Sequence, residues 1–231
     1  MQAKLALNKN DGSIIKRAPA SLLYNRRMEI DRYVYHMTRV ENLDSILRLG
    51  LLSHNLKTKK GLKDVEISNQ DVLKHDKIIF GKHIHDYVRF YLNPKNPMLF
   101  WNKSEQKKIA IIKVDIIELA KQYGPDCLVI SDGNAVSKST KFKLIKDLKP
   151  GFLDIECIYN KKGHWNNYNE QDDTGKRKRN AELLLDQALF PIQNASAIIV
   201  MTDELKVRVD DIVSKNRTHI TVDVDPNKYF L

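Results

Sequence analysis

The stretch that decides the fold is Thr174-Gly-Lys-Arg-Lys-Arg-Asn-Ala-Glu-Leu-Leu-Leu185. Four consecutive cations, Lys176 to Arg179, precede Glu182, and Glu182 opens a short apolar run. Such a run is typical of a buried strand, so we predict a flexible basic loop that leads into a strand with an acid at its first residue. This arrangement fits a polyanion held beside a charge-stabilising carboxylate. The alternative is a solvated basic loop and an acid that only caps the strand.

The composition favours a polyanionic partner. The chain has 231 residues, of which 42% are hydrophobic and 29% charged, and its formal net charge is +10. This length suffices for one sizeable domain, and so positive a chain favours nucleic acid because phosphate contacts release counterions. The sequence lacks an apolar stretch of the roughly 18 residues that span a bilayer, and its N-terminus lacks the apolar block of a secretory signal. We therefore expect a soluble, cytoplasmic monomer without membrane contact.

The cysteines give little sign of a metal or a disulfide. Cys127 and Cys157 each lie within an apolar run, and the chain has neither a CxxC pair nor a Cys/His cluster. This spacing predicts reduced core thiols and no metal site.

The first half of the chain alternates between short periodic segments and polar ones. We predict a basic surface arm over residues 1–30, with one short helix, then a strand over 33–37. Thr38 to Glu41 has the pattern of a capping box, which predicts a helix that Gly50 ends, and this places His36 at the end of a strand. The lysine-rich segment 53–80 predicts a long loop with a short helix near 71–75, and such loops often form lids or binding surfaces.

The second half predicts a mixed α/β domain. An aromatic-rich stretch at 85–101 suits either base stacking or a core helix. Strands are predicted at 108–114, 127–130, 153–159, 197–201 and 219–224, and helices at 116–122 and 203–215. Residues 131–134 are predicted to form a turn, and the polar segment 163–175, with Trp165, is predicted to be a mobile loop. Strands outnumber helices, which favours the α/β class.

Four motifs together resemble the DarT family of DNA ADP-ribosyltransferase toxins. They are YHMTRVENLDSILRLGLL (35–52), IHDYVRFYLNPKNPMLF (84–100), LVISDGNAVSKSTKF (128–142) and GKRKRNAELLL (175–185), in the family's order. The resemblance implies an ADP-ribosyltransferase fold over residues 31–231, with two packed, mostly antiparallel sheets, flanking helices and an NAD cleft. It also implies transfer of ADP-ribose from NAD, a co-substrate, to a base of single-stranded DNA, without a metal. A toxin of this family is expected to have a macrodomain-type hydrolase as its antitoxin.

The resemblance also implies roles for individual residues. His36 holds the nicotinamide ribose, Thr38 lies where backbone groups clasp the carboxamide, and Glu182 is the catalytic acid. The remaining expected residues fall into three sets: NAD-binding Asn42, Leu51, Tyr87 and Tyr91; Lys74 in the place of a catalytic arginine; and nucleic-acid-binding Lys176, Arg177, Lys178, Arg179, Trp165, Arg89 and Lys95.

This sequence departs from the family pattern at several of these positions. Lys74 and His75 stand where an arginine pair is common, and lysine lacks the bidentate fork of arginine. The family has proline at the position of Arg89 and often arginine at that of Lys95. The family has thymidine-directed and guanosine-directed branches, and NPKNPM with KRKRNAE leans slightly towards the second.

The sequence also leaves three other functions open. The acceptor could be RNA, or the chain could bind nucleic acid without catalysis. A metal-dependent nuclease would need acids such as Asp86, Asp115, Glu118 or Asp132, whose spacing does not form a convincing ligand set.

Overall fold

The computed structural model describes residues 30–65, 67, 75–159 and 173–230, and the backbone of residues 6–7 and 14–15. Its strands are β1 (Ala6–Leu7), β2 (Ile14–Ile15), β3 (Tyr33–Arg39), β4 (Leu51–Leu52), β5 (Ile78–Ile79), β6 (Lys82–His83), β7 (Val88–Tyr91), β8 (Ile109–Asp115), β9 (Leu128–Ser131), β10 (Phe142–Leu144), β11 (Glu182–Leu185), β12 (Leu189–Phe190), β13 (Ala197–Val200) and β14 (Val222–Val224).

The α-helices connect these strands and cover the sheet. They are α1 (Leu43–Leu49), α2 (His54–Lys59), α3 (Pro97–Trp101), α4 (Ile116–Tyr123), α5 (Ile155–Ile158), α6 (Asp173–Arg179) and α7 (Asp203–Lys215). Short 3-10 helices span Val40–Asn42, Ile84–Asp86, Lys103–Lys108, Pro125–Cys127, Ile145–Asp147, Ile192–Asn194 and Pro226–Lys228. None of the helices in the described part of the chain is long and apolar enough to cross a membrane.

Eight of the described strands form one sheet in the order β10-β9-β11-β7-β3-β8-β13-β14. Neighbours are antiparallel except β13 and β14, which are parallel. Strand β3 pairs with β8 along its whole length, whereas its pairing with β7 within the described residues is limited to Tyr35 and Tyr91. The sheet therefore has two four-stranded halves that separate beyond this pair. The predicted α/β class is confirmed, and the described strands form this one large sheet together with three two-stranded sheets.

Apolar side chains cover both faces of the central strands. On β8, Ile112 and Val114 join the large cluster that contains the apolar faces of α1, α4 and α7. Ile109 and Ile111 point the other way, towards the buried Tyr229, because successive side chains of a strand lie on opposite faces. Burial on both faces explains the nearly continuous apolar sequence of this strand, and it gives the site a rigid base.

Local signals predicted several elements well. Helix α7 has the expected bounds and is capped by Thr202, whose hydroxyl accepts from the Leu205 N–H. Helix α4 is capped by Asp115 and ends at Gly124, which has a φ of 86°. A positive φ of this kind is readily adopted by glycine.

Other local predictions were wrong. Strand β3 continues to Arg39, so Thr38 lies within a strand instead of capping a helix, and His36 lies mid-strand. The segment predicted as a strand at 153–159 contains helix α5, which Asp154 caps. The predicted flexible basic loop ends in helix α6. For Thr38, pairing with β8 outweighs the local pattern, whereas the helix at 155–158 follows from the local Asp154 cap.

The remaining predictions concern segments that are only partly described. In the arm, strands β1 and β2 pair with each other, and the rest of residues 1–29 lies outside the described residues. The predicted loop at 53–80 contains helix α2 and strand β5, and β5 pairs with β6 just beyond this segment. Most of the short helix expected near 71–75 and most of the loop at 163–175 also lie outside the described residues.

Candidate active site

A cleft of about 840 Å³ opens where β3 and β7 separate. Its walls include His36 and Thr38 from β3, Arg89 and Tyr91 from β7, and Glu182 from the start of β11. Glu182 is paired with Tyr91 across β11 and β7, and Tyr91 is the residue that joins the two halves of the sheet. The predicted acid is therefore adjacent to the point of separation.

The carboxylate of Glu182 is held by three donors. The Arg89 Nε and Nη2 atoms donate to its Oε2 and Oε1 at 2.7 and 2.8 Å, and the Ala135 N–H donates to Oε1 at 2.9 Å. Its own backbone N–H donates to the Ser131 hydroxyl at 2.9 Å. The Glu182 side chain is 1% exposed, so both its position and its orientation are fixed at the base of the cleft.

Arg89 lies within the cleft, as the partner of Glu182. The prediction that it binds nucleic acid did not anticipate this ion pair. Burial by itself lowers the pKa of Arg89, but the Glu182 charge and its hydrogen bonds raise that pKa by a larger amount. The net pKa is above the ordinary value, so the guanidinium stays charged. In this position Arg89 orients the carboxylate through a bidentate contact, the geometry that favours arginine over lysine.

His36 bridges the gap between the two diverging strands. Its Nδ1 lies 3.0 Å from the carbonyl oxygen of Arg89, and because a carbonyl can only accept, Nδ1 carries the hydrogen. Burial lowers the pKa of His36 to about 4, so the ring is neutral at pH 7. In this tautomer Nε2 has a free lone pair and can accept a hydrogen bond from a hydroxyl group.

Asn42 uses its side chain to hold the segment that follows α2. Its Oδ1 accepts from the Val65 N–H at 2.8 Å, and its Nδ2 donates to the Val65 carbonyl at 3.0 Å. Nδ2 also lies 3.2 Å from the Thr38 hydroxyl. Asn42, Thr38 and Leu51 all line the cleft, so the structure brings these predicted NAD-binding residues together. Asn42 also has a structural contact that the sequence did not predict.

Both predicted tyrosines line the cleft. The Tyr87 hydroxyl donates to the Ile79 carbonyl at 2.7 Å, and burial raises the pKa of Tyr87 to about 12. The Tyr91 hydroxyl lies 3.4 Å from the Met98 sulfur. Burial, followed by the negative charge of Glu182, raises the pKa of Tyr91. Both phenols therefore stay protonated and present rings, not charge, to the cleft.

The cations of helix α6 have different environments. Arg177 forms an ion pair with Asp132 at 2.7 Å, and Lys178 forms one with Asp154 at 2.9 Å. Lys176 and Arg177 line the cleft. The prediction of four equivalent DNA contacts did not include these internal ion pairs, because the acidic partners are distant in sequence from the basic segment.

Four other predicted residues, Arg179, Lys95, Lys74 and Trp165, are not brought into the cleft by the described structure. Lys95 lies with its Nζ 5.8 Å from the centre of the Phe230 ring. Lys74 and Trp165 lie outside the described residues. Their predicted roles therefore stay predictions.

Several cleft residues had no clear sequence signal. His54, Lys57 and Asp64 come from the segment predicted as a loop, and Lys57 pairs with Asp64 at 2.6 Å. The rings of His54 and His85 lie 5.3 Å apart. Burial, followed by the Arg89 charge, lowers the pKa of His85. A signal existed for His85, which begins the aromatic-rich stretch, whereas the other residues lack any periodic pattern.

Trp101 is the last residue of the aromatic-rich stretch at 85–101. It lies at the end of α3, lines the cleft, and is 60% exposed. Tryptophan is usually well buried, so its position at the cleft rim is a functional hint.

The acids considered for a nuclease do not form a common site. Asp86 accepts from Asn55, Asp115 pairs with Arg32, and Glu118 and Asp132 pair with Lys121 and Arg177. Among the described residues, the His, Cys, Asp and Glu side chains do not form any group of three or more that could hold a metal ion.

Most of the chain matches the model of a known protein family. The model is described as "ssDNA thymidine ADP-ribosyltransferase, DarT" and matches residues 35–230. This chain belongs to the DarT family. The match includes every strand that frames the cleft, and it confirms the family resemblance drawn from the four motifs.

Relatives and solved structures agree with this membership. A DarT relative from Thermosipho africanus, a DNA ADP-ribosyl transferase-DNA ADP-ribosyl glycohydrolase fusion protein, is 29% identical over 206 residues. The match covers 87% of this chain and 50% of the fusion protein, so the chain spans half the length of that relative.

Two structures of Thermus sp. 2.9 DarT have a similar fold. The complex with ADP-ribosylated ssDNA gives a TM-score of 0.71 at 21% identity, covering 88% of this chain and 100% of that chain. The complex with NAD+ gives 0.69 at 23%, with the same coverage. At these identities the likeness establishes the fold.

Proposed function

We propose that this DarT-family protein transfers ADP-ribose from NAD to a base of single-stranded DNA and releases nicotinamide. The observation that carries the proposal is the Glu182 carboxylate, held by three donors in a cleft that also contains the neutral His36. The family description names this activity, and the similar Thermus structures contain NAD+ and ADP-ribosylated ssDNA. NAD is a co-substrate in this scheme.

The proposed roles follow from the charge that the reaction creates. As the bond between nicotinamide and the ribose C1′ breaks, nicotinamide leaves as a neutral base and positive charge develops at C1′. The Glu182 carboxylate stabilises that charge, and the His36 Nε2 accepts a hydrogen bond from a ribose hydroxyl. A ring nitrogen of the DNA base then bonds to C1′, and its proton passes to solvent. Preorganised electrostatic contacts of this kind contribute roughly 2.7–4 kcal/mol each.

The nucleic-acid side of the proposed site lies at the cleft rim. Lys176 and the exposed Trp101 line the same cleft, so a phosphate and a neighbouring base can be bound beside the target. Lys95, Arg179 and Trp165 stay proposed contacts. A base must be unstacked to reach a buried carboxylate, which favours a single strand. We propose thymine as the first acceptor to test, because the matching family description names thymidine.

The biological setting is part of the same proposal. The Thermosipho relative joins a transferase to a DNA ADP-ribosyl glycohydrolase. We therefore propose a toxin whose partner is a separate or fused macrodomain-type hydrolase that reverses the modification. Such a toxin would act in the cytoplasm, as a single transferase domain over residues 31–231 with the basic arm before it.

Mass spectrometry of oligonucleotides incubated with the protein and NAD tests the activity. We expect nicotinamide release and the addition of one ADP-ribosyl group to a thymine-containing DNA strand, unaffected by EDTA. Glu182→Gln should lower the rate by roughly 10²- to 10³-fold while the protein still binds NAD.

Acceptor choice separates the alternatives. Strands with thymine or guanine as the sole acceptor base, and RNA of the same sequence, identify the target. Strand scission that EDTA stops would instead indicate a nuclease. Binding to the oligonucleotide with NAD left intact would indicate a non-catalytic module and would refute the proposal.

A further inference from the structure

The turn that follows β9 is directly connected to Glu182. The Ser131 hydroxyl accepts from the Glu182 backbone N–H at 2.9 Å and donates to the Gly133 carbonyl at 2.7 Å. Two residues further on, the Ala135 N–H donates to the Glu182 Oε1 at 2.9 Å. The turn at residues 131–135 therefore anchors both the backbone and the side chain of the proposed catalytic acid.

Arg177 of helix α6 holds this turn from the other side. Its Nη1 donates to the Asp132 Oδ1 at 2.7 Å and lies 3.3 Å from the Thr140 hydroxyl. Its carbonyl accepts from the Asn134 N–H at 2.8 Å. The Thr140 hydroxyl donates to the Asn134 carbonyl at 2.7 Å. Arg177 thus contacts the residues on each side of Gly133, through both its side chain and its backbone.

The contact between Arg177 and the turn is close enough to require glycine. A Cβ added at Gly133 would lie 2.6 Å from the Arg177 Nη1 and 2.8 Å from its carbonyl oxygen. Distances below 3.0 Å are not tolerated at a Cβ, and one of these two contacts is with backbone. The turn and the helix are therefore fitted to each other, and a displacement of one must displace the other.

Burial argues against a phosphate contact for this arginine. The side chains of Arg177 and Asp132 are each 15% exposed, and the guanidinium charge is already offset by a carboxylate. Binding a phosphate would require breaking a largely buried ion pair, and leaving its partner uncompensated is costly.

We infer that Arg177 is a positioning residue for the Glu182 carboxylate, acting through the turn at residues 131–135, and not a nucleic-acid contact. The inference deepens the proposed function and rests on it, because it assumes that the orientation of Glu182 limits the rate. Lys176, the residue before Arg177 on helix α6, lines the cleft. Through Arg177 and the turn, the same helix is in mechanical contact with the catalytic acid.

Asp132→Asn gives opposite results under the two assignments. If Arg177 positions Glu182, this substitution weakens the hold on the turn, and kcat falls roughly 10- to 100-fold, since a displacement of about 1 Å can cost 10² in rate. KM for NAD and the affinity for DNA stay unchanged. If Arg177 binds phosphate, removing its acidic partner strengthens DNA binding and leaves kcat intact, and that result would overturn the inference.

Asp154→Asn is the matched control. It removes the carboxylate that pairs with Lys178 of the same helix. Asp154 caps α5 and does not contact the turn at residues 131–135 in the contacts described above. We expect its kcat to equal that of the unmodified protein. An equal loss of kcat in both variants would show a general effect of helix α6 and would also overturn the inference.

Arg177→Lys covers the case in which Asp132→Asn does not fold. It keeps a positive charge and loses the guanidinium fork, so the positioning role predicts a lower kcat with unchanged salt dependence of DNA binding. Retained kcat would refute that role. If the proposed function is wrong, the wild-type protein will consume no NAD, and this result is separate from the effects of the substitutions. In that case the unfolding free energies of Asp132→Asn, Glu182→Gln and the double variant still test the structural connection. Non-additive changes would reveal it, and additive changes would exclude it.

Discussion

Replacing Arg89 with leucine removes both side-chain donors from a buried carboxylate. The two N–H···O bonds are 2.7 and 2.8 Å long, Glu182 is 1% exposed, and Arg89 is 22% exposed. Breaking one side of a buried pair costs about 3–5 kcal/mol. The Ala135 N–H still binds Glu182, so we expect the free energy of unfolding to fall by about 3 kcal/mol, the lower end of that range.

The double variant Arg89→Leu/Glu182→Gln should be more stable than Arg89→Leu alone. Glutamine keeps an oxygen for the Ala135 N–H but carries no charge, so the uncompensated charge disappears. What remains is the loss of ordinary hydrogen bonds, about 1 kcal/mol. Urea unfolding of the wild type, both single variants and the double variant measures these differences.

An exposed pair supplies the control for this cycle. Arg48 and Asp44 lie 2.8 Å apart on α1, with side chains 63% and 56% exposed. Arg48→Leu should change stability by less than about 1 kcal/mol, because water screens such pairs. If Arg89→Leu cost no more than Arg48→Leu, or if Glu182→Gln failed to restore stability to it, the assignment of a buried, structurally important ion pair would be wrong.

Three further predictions concern the cleft. The His36 pKa is about 4 in the folded protein, against an ordinary 6.5, so the unfolded chain binds more protons between these values. The contribution of neutral His36 to the free energy of unfolding is therefore complete above pH 6.5 and falls by up to about 3 kcal/mol as the pH drops to 4. Urea titrations of His36→Asn at several pH values should lack this decrease. A pH profile identical to that of the wild type would count against the role of His36. Lys176→Met should reduce the slope of log K against log salt for single-stranded DNA by about 0.7, and an unchanged slope would exclude a phosphate contact. Trp101→Ala should weaken oligonucleotide binding by about 1–3 kcal/mol, measured by fluorescence anisotropy, and an unaltered affinity would remove Trp101 from the interface.

Elements with a complete local signal could be predicted from the sequence. Helix α7 combines an apolar stripe with a threonine cap, and its predicted and observed bounds coincide at residues 203–215. Segment 153–159 was predicted as a strand because it is apolar, but Asp154 accepts from the Cys157 N–H at 3.1 Å and starts a helix there. Thr38 fitted a helix cap by spacing, yet pairing with Ala110 of β8 keeps it extended. Short apolar runs do not by themselves distinguish strand from helix.

The candidate site divides in a similar way. The sequence by itself determined that Glu182 begins a buried strand and follows a basic segment, because both properties are encoded within a few neighbouring residues. It also placed His36 on a strand, although at the end of that strand and not in its middle, where it lies. The partners of these residues were decided only by the tertiary structure: Arg89 lies 93 positions from Glu182, and Asp132 lies 45 positions from Arg177. An ion pair depends on the register of strands and the docking of a helix, and local periodicity contains no information on either.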